Sequence, residues 1–253
     1  AGIKDGFALA IFCFFVAAPS LFVALPGIMA LGDGAAVAAL TGAGVWAVFW
    51  SSLLTSYIIG IAATLMNLLV GFPMAIIIAR RKFGSHITAL LSALVSIPIT
   101  IPSVALGVSL TYFWSAVGDI PEFWTLVLVH TTITYTYFVQ AMAAAIEAVP
   151  EELEEVARTL GGRAFTTFRK IVLPLTKYSI FSGAIIVLTR SVDETGATVA
   201  VAKQVKTAPV LLVDWIRNPT IYSRSTVGLG ILFLVLTAFI SLLAIRLALR
   251  RER

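Results

Sequence analysis

The sequence predicts an all-α membrane protein with six transmembrane helices. Hydrophobic residues make up 59% of the 253-residue chain, charged residues make up 12%, and the mean hydropathy is +1.00. This composition does not suit a water-soluble domain. Several apolar stretches reach the roughly 20 residues that a helix needs to cross about 30 Å of hydrocarbon. Because peptide groups at that depth must be paired internally, helices are the expected spanning structure.

The six predicted spans cover residues 7–30, 51–79, 87–117, 123–146, 178–202 and 227–249. The second and third exceed the minimum length, so we expect tilt, kinks or extension beyond the lipid. Pro98 and Pro102 predict a kink in the third span, because proline lacks a backbone donor and its ring clashes with the preceding turn. Residues 1–253 are expected to form a single transmembrane domain.

The Lys and Arg residues predict the orientation of these spans. Thirteen of the 18 fall on one side, namely Lys4, Arg80, Arg81, Lys82, Arg158, Arg163, Arg169, Lys170, Lys177, Arg246, Arg250, Arg251 and Arg253. The other side receives Lys203, Lys206, Arg217 and Arg224. The positive-inside rule therefore predicts that both termini and the loop at residues 150–175 are cytoplasmic. This topology accounts for the net charge of +5, and no basic face with interleaved aromatics indicates nucleic-acid binding.

The loop between the fourth and fifth spans predicts a short amphipathic helix followed by a turn. Pro150 suits a first helical turn, and four residues place negative charge near the positive end of the helix dipole: Glu151, Glu152, Glu154 and Glu155. Apolar residues recur at spacings of three, four and seven in a narrow stripe formed by Leu153, Val156, Ala157 and Leu160. Gly161 and Gly162 then permit a turn with positive φ. Residues 163–171 are expected to form a second amphipathic piece before Pro174 and the next span.

The spacing within this loop resembles the EAA loop of permease subunits of type I ABC importers. The resemblance rests on the triplet Glu155-Val156-Ala157, on Gly161 after three intervening residues, and on Ile171-x-Leu173-Pro174 after nine more intervening residues. Val156 replaces the usual first alanine and adds a little bulk at a packing position. Charge and periodicity alone would favour a different interpretation, an amphipathic loop lying on lipid headgroups. The four-part spacing reverses that preference.

In that family the loop forms a coupling helix, between helices four and five, that inserts into a groove of a separate ATP-hydrolysing subunit. The resemblance therefore implies a set of residues at that contact: Glu151, Glu154, Glu155, Val156, Ala157, Leu160, Gly161, Arg163, Ile171, Leu173 and Pro174. It also implies a second permease chain, identical or related, in a bacterial or archaeal cytoplasmic (inner) membrane. An extracytoplasmic substrate-binding protein is the third implied partner, with the loops at residues 26–45, 118–122 and 203–224 as its plausible contact surface.

The fifth predicted span contains charges that are expensive in hydrocarbon. A charge at the centre of an isolated span costs on the order of 2.5 to 3.5 kcal/mol on insertion scales, so Arg190, Asp193 and Glu194 should face other helices, a polar cavity or an interface. Arg190 and Glu194 are spaced to pair on one helix face. Two interpretations remain open: an internal ion pair that fixes helix packing, and a site on the solute pathway.

Arg190, Glu194, Gly196 and Ala197 resemble the Arg, Glu-x-Gly-Ala segment of permeases for sulfate, molybdate and tungstate. Asp193 and Thr195 depart from it, since those relatives often carry a small residue and Phe there. The resemblance favours a pathway or gate role for the segment, with Arg190, Asp193, Glu194, Thr195 and Gly196 as candidates. Pro102 and Ser103 are further candidates, because a proline can open backbone carbonyls toward a pathway. A packed kink is the alternative there. The expected solute is such an oxyanion. Phosphate or phosphonate, ferric iron, thiamine and polyamine are alternatives, and an ion-coupled secondary transporter is a different class.

No catalytic role is predicted for this chain. It has no HExxH, GxSxG or GxxxxGK[ST] motif, so ATP and Mg are expected in the partner ATPase and no cofactor is expected on this chain. Cys13 is the only cysteine, which excludes an intrachain disulfide and a cysteine-cluster metal site. His130, isolated in the fourth span, is interpreted as a hydrogen-bonding residue between helices and not as a metal ligand.

Overall fold

The computed structural model describes residues 3–32 and 35–250, with side chains given except at residues 3–5, 17, 20, 21, 23, 24 and 244–250. Every regular element in these ranges is a helix, which confirms the all-α prediction. Both termini lie outside the described residues. Several side chains used to predict orientation are also outside the described part of the structure, namely those of Lys4, Arg246, Arg250, Arg251 and Arg253.

The helices, in chain order, are α1 (Ile3–Phe12), the π-helical turn η1 (Cys13–Ala17), α2 (Ala18–Ala30), α3 (Ala35–Thr41), α4 (Val45–Ala79), α5 (Ser85–Thr100), α6 (Ser103–Val117), α7 (Glu122–Glu147), α8 (Glu151–Thr159), α9 (Ala164–Thr167), the π-helical turn η2 (Phe168–Val172), α10 (Leu173–Val192), α11 (Gly196–Val201), α12 (Ala208–Arg217) and α13 (Arg224–Arg250). Two compact units group them: a terminal unit of Ala1–Thr55 with Lys206–Arg253, and a central unit of Ser56–Val205.

In the described part of the chain, three helices are long and apolar enough to cross a membrane by themselves: Val45–Ala79, Ala164–Val192 and Arg224–Leu243. The pair α5 and α6 would make a fourth span if it is counted as one. Helix α7 has sufficient length, with 26 residues, but it carries many Thr and Tyr side chains together with His130 and Gln140. The predicted number of six spans is thus not confirmed by length and composition.

The third predicted span is broken and not merely kinked. Helices α5 and α6 meet at an angle of 110°. Ile101, the residue before Pro102, is extended, with φ −92° and ψ 134°, because the proline ring disfavours the helical conformation of its predecessor. Pro98 remains inside α5. Only the second of the two prolines therefore ends a helix.

The fifth predicted span, residues 178–202, is also not one helix. Helix α10 ends at Val192, and Asp193 to Thr195 separate it from α11. Asp, Thr and Gly are weak helix formers, and short polar side chains compete for backbone hydrogen bonds. Thr195 Oγ1 donates to the carbonyl of Asp193 at 3.2 Å. The polar sequence that was expected inside a span instead forms the break between two helices.

The core of the central unit is built around α7. Buried residues in the second half of α7 contact α4, α5 and α10, and buried residues in its first half contact α6 and α11. Phe138 and Met142 are fully buried among side chains of α4 and α10. Leu126 and Val129 are buried beside Leu106 and Ala197. Since α7 is enclosed by other helices, its polar side chains find protein partners and need not face lipid.

The terminal unit has an aromatic core. Trp46 lies edge-on to Phe49 and to Trp215, with ring centroids 5.5 Å apart in both pairs. Trp215 on α12 also stacks on Tyr222 at 5.3 Å. Trp46 and Trp215 are 4% and 1% exposed, so they pack internally. Elsewhere in this unit α2 packs along α13, where Gly27 and Gly228 allow the two backbones to approach closely.

Glu122, which precedes the apolar part of α7, holds the segment that follows α11. Its Oε1 accepts hydrogen bonds from the backbone N–H groups of Lys203, Gln204 and Val205 at 2.7, 2.9 and 2.9 Å. Burial raises the pKa of the Glu122 carboxyl, but these donors and the charge of Lys203 outweigh that effect and hold the pKa below its ordinary value. One carboxylate thus fixes three consecutive peptide groups.

Replacing Gly107 by Val should destabilise the central unit. A Cβ atom at Gly107 on α6 would lie 2.8 Å from the Ala197 Cα and 2.9 Å from its carbonyl oxygen, so α11 would have to move. Overpacking of this kind typically costs about 1 to 3 kcal/mol. The apparent melting temperature in detergent should fall for Gly107→Val. It should stay near the wild-type value for Gly118→Val, because nothing lies within 4 Å of a Cβ there and φ is extended at 169°. Equal melting temperatures for the two variants would contradict the described packing.

Replacing Glu122 by Gln should remove a pH-dependent part of the stability. Because the folded-state pKa is depressed, the carboxylate stabilises the fold fully above its unfolded-state pKa of about 4.3, and this contribution is lost as the pH falls through the folded-state value. We expect Glu122→Gln to cost about 1 kcal/mol at pH 7, since solvent screens a partly exposed carboxylate. In thermal unfolding, the difference in melting temperature between wild type and Glu122→Gln should be smaller at pH 3.5 than at pH 7. Asp119→Asn, which neutralises a nearby exposed carboxylate, is the control, and an equal pH effect there would refute the assignment.

Candidate functional site

The loop at residues 150–175 begins with the predicted short helix, α8, and its end is defined by a glycine turn. Gly161 has φ +83° and its N–H donates to the carbonyl of Arg158 at 2.9 Å. The N–H of Gly162 donates to the carbonyl of Ala157 at 2.8 Å. These two bonds form a Schellman motif, in which the residue at the position of Gly161 must be left-handed. The predicted positive φ is confirmed.

One face of α8 is an exposed apolar stripe. Leu153, Val156 and Leu160 are 43%, 57% and 83% exposed. Their spacing of three and four residues places them on the same side of the helix. No residue of α8 is buried. Exposed apolar side chains grouped in this way are typical of a contact surface for another protein or a membrane.

Another face of α8 carries charge and meets the end of α4. Arg80, which directly follows α4, donates from Nε to Glu154 Oε1 at 2.9 Å, and its Nη2 lies 2.7 Å from the same oxygen. Nη2 also donates to the carbonyl of Val149 at 3.0 Å, just after α7. Glu151 is further away, at 3.8 Å from Nη1. Arg80 thus links the ends of two long helices to α8.

A cleft of about 1170 Å³ lies in the central unit beside this linkage. Apolar side chains of α4 and α10, among them Phe72, Ile76 and Ile180, line one part of it. The other part is lined by Arg80 and the charged side chains of α8. Helix α8 is therefore not backed by a packed apolar core.

The second half of the loop does not stand apart from the fifth span. Arg163 is the exposed residue before α9, and Ala164–Val192 is one continuous helical run that includes η2. Within it the N–H of Leu173 donates to the carbonyl of Phe168, five residues back. Pro174 has no N–H, so a π-helical turn just before it relieves the conflict between proline and a regular α-helix. Ile171 and Leu173 are half-buried in this run, whereas Pro174 is exposed.

The structure brings the two groups of predicted pathway residues together. Pro102 and Ser103 begin α6, and Gly196 begins α11. A Cβ atom on Gly196 would clash with Ser103 Oγ and would lie 3.3 Å from Val104 Cγ2. These helix starts are adjacent although they are more than 90 residues apart in the sequence. The break within the third predicted span and the break in the fifth thus share one location.

The charged residues near this location have defined partners. Arg190 Nη2 lies 3.5 Å from Glu194 Oε2, so the predicted ion pair is confirmed, although Glu194 lies beyond the end of α10. Glu194 is buried and its Oε1 accepts the N–H of Ala197 at 3.1 Å, which caps α11. Arg190 also lies over the ring of Tyr137, with Cζ 5.6 Å from its centroid. Asp193 is exposed, and Thr195 is half-buried beside it.

His130 joins the two sides of the break in the fifth span. Its Nδ1 lies 2.8 Å from Ser191 Oγ on α10, and its Nε2 lies 3.0 Å from Thr198 Oγ1 on α11. The sequence-based interpretation of His130 as a hydrogen-bonding residue between helices is confirmed. Its two partners were not identified from the sequence, although a His facing Ser and Thr near a polar break is a usable signal.

Arg80 was used only to predict orientation, because no local pattern relates it to Glu154. Within residues 3–32 and 35–250, no three His, Cys, Asp or Glu side chains are grouped to hold a metal ion.

The fold is similar to that of a known importer. A solved structure described as an inward-facing conformation of the MetNI methionine ABC transporter superposes with a TM-score of 0.67, at 17% sequence identity, over 81% of this chain and 96% of that one. At this identity the similarity concerns the fold alone.

Curated relatives are more similar in sequence. The molybdate/tungstate transport system permease protein WtpB of Pyrococcus furiosus is 31% identical over 192 residues, which are 76% of either chain. The molybdenum transport system permease protein ModB of Mycobacterium tuberculosis is 28% identical, over 78% of this chain and 82% of that protein. The sulfate transport system permease protein CysT of Salmonella typhimurium is 29% identical, over 68% and 70%.

These relatives agree with the resemblance drawn from the loop at residues 150–175. Residues 71–253 match the family described as the inner membrane component of binding-protein-dependent transport systems. This match covers the loop and both helix breaks. The chain belongs to that family and is a permease subunit of a binding-protein-dependent ABC importer.

Proposed function

We propose that this permease moves an oxyanion such as molybdate, tungstate or sulfate through the inner membrane, driven by ATP hydrolysis in separate cytoplasmic subunits that dock on α8. The observation that carries the proposal is the exposed apolar stripe of Leu153, Val156 and Leu160 beside the rigid turn at Gly161. A solvated loop has no need of such a stripe. A groove on a partner would bury it, at a gain of about 25 cal/mol per Å² of apolar surface.

In this proposal the loop residues have three roles. Glu155, Val156, Ala157 and Leu160 contact the ATPase, with Gly161 shaping the turn. Glu151 and Glu154 hold α8 to the membrane helices, and Arg163, Ile171, Leu173 and Pro174 continue the loop into α10. ATP and Mg bind to the ATPase. This chain binds neither.

The proposed topology has six crossings in one transmembrane domain of residues 1–253. The run from α1 to α2, the bent pair α5 and α6, and the polar but enclosed α7 each count as one crossing, in addition to the three apolar helices. Both termini and α8 then lie on the cytoplasmic side, as the Lys and Arg distribution favours. A second permease chain completes the pathway, and an external substrate-binding protein delivers the solute.

Coupling requires that the partners favour one conformation of the pathway. A ligand shifts such an equilibrium only by the difference between its affinities for the two states. The loaded binding protein and ATP therefore both favour the outward-open state, and ATP hydrolysis resets the inward-open state. Arg190, Asp193, Glu194, Thr195 and Gly196 change their exposure during the cycle, together with Pro102 and Ser103 on the facing helix.

The proposed solute rests on two observations. The relatives described above are permeases named for molybdate, tungstate, molybdenum and sulfate. In addition, the Arg190 side chain is 41% exposed and forms one ion pair within the described residues, at 3.5 Å, so part of its donor capacity is available to an anion.

Replacing Gly161 by Val should uncouple transport from ATP hydrolysis while leaving the membrane fold intact. Nothing lies within 4 Å of a Cβ at Gly161, so the strain comes from φ +83° alone. A left-handed residue with a Cβ costs roughly 1 to 2 kcal/mol, more when it is β-branched. We expect uptake by the reconstituted importer to fall at least tenfold for Gly161→Val. The melting temperature should fall by only a few degrees, because the strain is confined to an exposed turn.

Gly161→Asn is the matched control, because asparagine tolerates the left-handed region and should retain most of the uptake. Normal transport by Gly161→Val would contradict the proposed docking surface. Solute uptake by this chain without any ATPase would instead indicate an ion-coupled secondary transporter.

The solute is tested with the cognate binding protein and the complete importer in proteoliposomes. Molybdate or tungstate should stimulate ATP hydrolysis at micromolar concentration, and sulfate at the same or higher concentration, whereas phosphate, ferric iron, thiamine and polyamine should not. Arg190→Gln should reduce uptake of the oxyanion with little change in docking of the ATPase. Stimulation by a cation, with oxyanions inactive, would overturn the assignment of the solute and leave the coupling proposal untouched.

A further inference from the structure

Helix α8 is attached to the rest of the central unit with little apolar packing. It contributes no buried side chain. It packs mainly against the neighbouring α9 and η2, which follow it in the chain. A cleft lies between it and the apolar side chains of α4 and α10. Apolar packing therefore does not connect α8 to α4.

A polar connection takes its place. In the described part of the chain, the ion pairs that join α8 to another segment all involve Arg80. Its side chain and that of Glu154 are only 11% and 16% exposed, so solvent screens the pair weakly. Arg80 also donates to the Val149 carbonyl at 3.0 Å, which ties the end of α7 into the same contact.

Two nitrogens of Arg80 contact the same oxygen of Glu154. Nε donates to Oε1 at 2.9 Å and Nη2 lies 2.7 Å from it, so the guanidinium meets this carboxylate oxygen with two donors. Glu154 Oε2 lies 3.7 Å from Arg158 Nη2 one turn later on α8. Glu151, Glu154 and Arg158 share one helix face, whereas Leu153, Val156 and Leu160 lie on another. One face is thus available to a partner while the other is held by Arg80.

We propose that Arg80 is a positioning residue for coupling: through Glu154 it transmits movement of α8 to the end of α4. The inference rests on the proposed docking of an ATPase on α8. Without Arg80, the cleft leaves room for α8 to move while α4 stays in place. ATP hydrolysis then continues with less transport. A purely structural role predicts the opposite pattern, in which docking and hydrolysis are lost together with transport.

The test uses the complete importer, with ATPase and binding protein, in proteoliposomes. For Arg80→Gln we expect uptake to fall at least tenfold while ATP hydrolysis stays within about twofold of wild type, so that the ATP hydrolysed per solute rises at least fivefold. Arg80→Lys keeps the charge but loses the contact through two donors. Its uptake and its ATP hydrolysed per solute should lie between those of wild type and Arg80→Gln. Lys82→Gln, which removes a positive charge from an exposed residue of the same turn, is the matched control and should behave as wild type.

A charge exchange separates transmission from folding. Glu154→Arg alone should uncouple as Arg80→Gln does. The double variant Arg80→Glu with Glu154→Arg should recover more uptake than the two single changes predict, because the pair is restored in reverse. If Arg80→Gln does not fold, Glu154→Gln removes the same contact from the other side and gives the same readout.

Three results would overturn the inference: unchanged ATP per solute in Arg80→Gln, a parallel loss of ATPase docking and uptake, or no recovery in the charge exchange. Failure of the proposed function would look different. The wild-type importer would then show no ATP-dependent uptake, whereas failure of this inference leaves the wild type active.

Discussion

The structure depends on the requirement that backbone groups in hydrocarbon be paired. A helix in that setting can stop only where other polar groups replace its lost hydrogen bonds. The break between α10 and α11 meets this condition by protein contacts. Glu194 accepts the Ala197 N–H at the start of α11, and His130 spans the gap from Ser191 to Thr198. At this break, polar side chains therefore take the place of lost backbone hydrogen bonds.

The same requirement explains why small residues lie beside the breaks. Gly107 and Gly196 permit α6 and α11 to cross with their backbones close together, since a Cβ at either position would meet the opposite helix. This close approach brings the starts of α6 and α11 together. Larger residues at the two glycine positions would push these helix starts apart. The loop at residues 150–175 uses a different device: α8 buries no side chain and is joined to another segment by its ion pairs with Arg80. An arrangement held by charge can shift without opening a packed core.

Much of this organisation could be predicted from the sequence, because its signals are local. Apolar length indicated helices, the glycines after Leu160 indicated a left-handed turn, and a spacing of four indicated the pair of Arg190 and Glu194. Contacts between distant residues had no such signal. Arg80 and Glu154 are 74 residues apart, and the proximity of Ser103 and Gly196 follows from the bend at Pro102, whose angle no propensity specifies. The end of α10 at Val192 was missed because overall hydrophobicity outweighed the weak helix propensity of the next residues.

The two candidate regions are joined by one continuous helical run. The helical run Ala164–Val192 begins just after the turn at Gly161 and ends where the pathway candidates begin. Its 29 residues correspond to about 43 Å at 1.5 Å per residue, enough to cross the hydrocarbon of a bilayer. The π-helical turn at Phe168–Val172 and Pro174 interrupt its regular hydrogen bonds near the loop end. The loop is therefore connected to the rest of the central unit in two ways, through this run to Asp193 and through Arg80 to α4. Because η2 interrupts the regular hydrogen bonds of the run, the proposed coupling relies on the link through Arg80 as well as on the run.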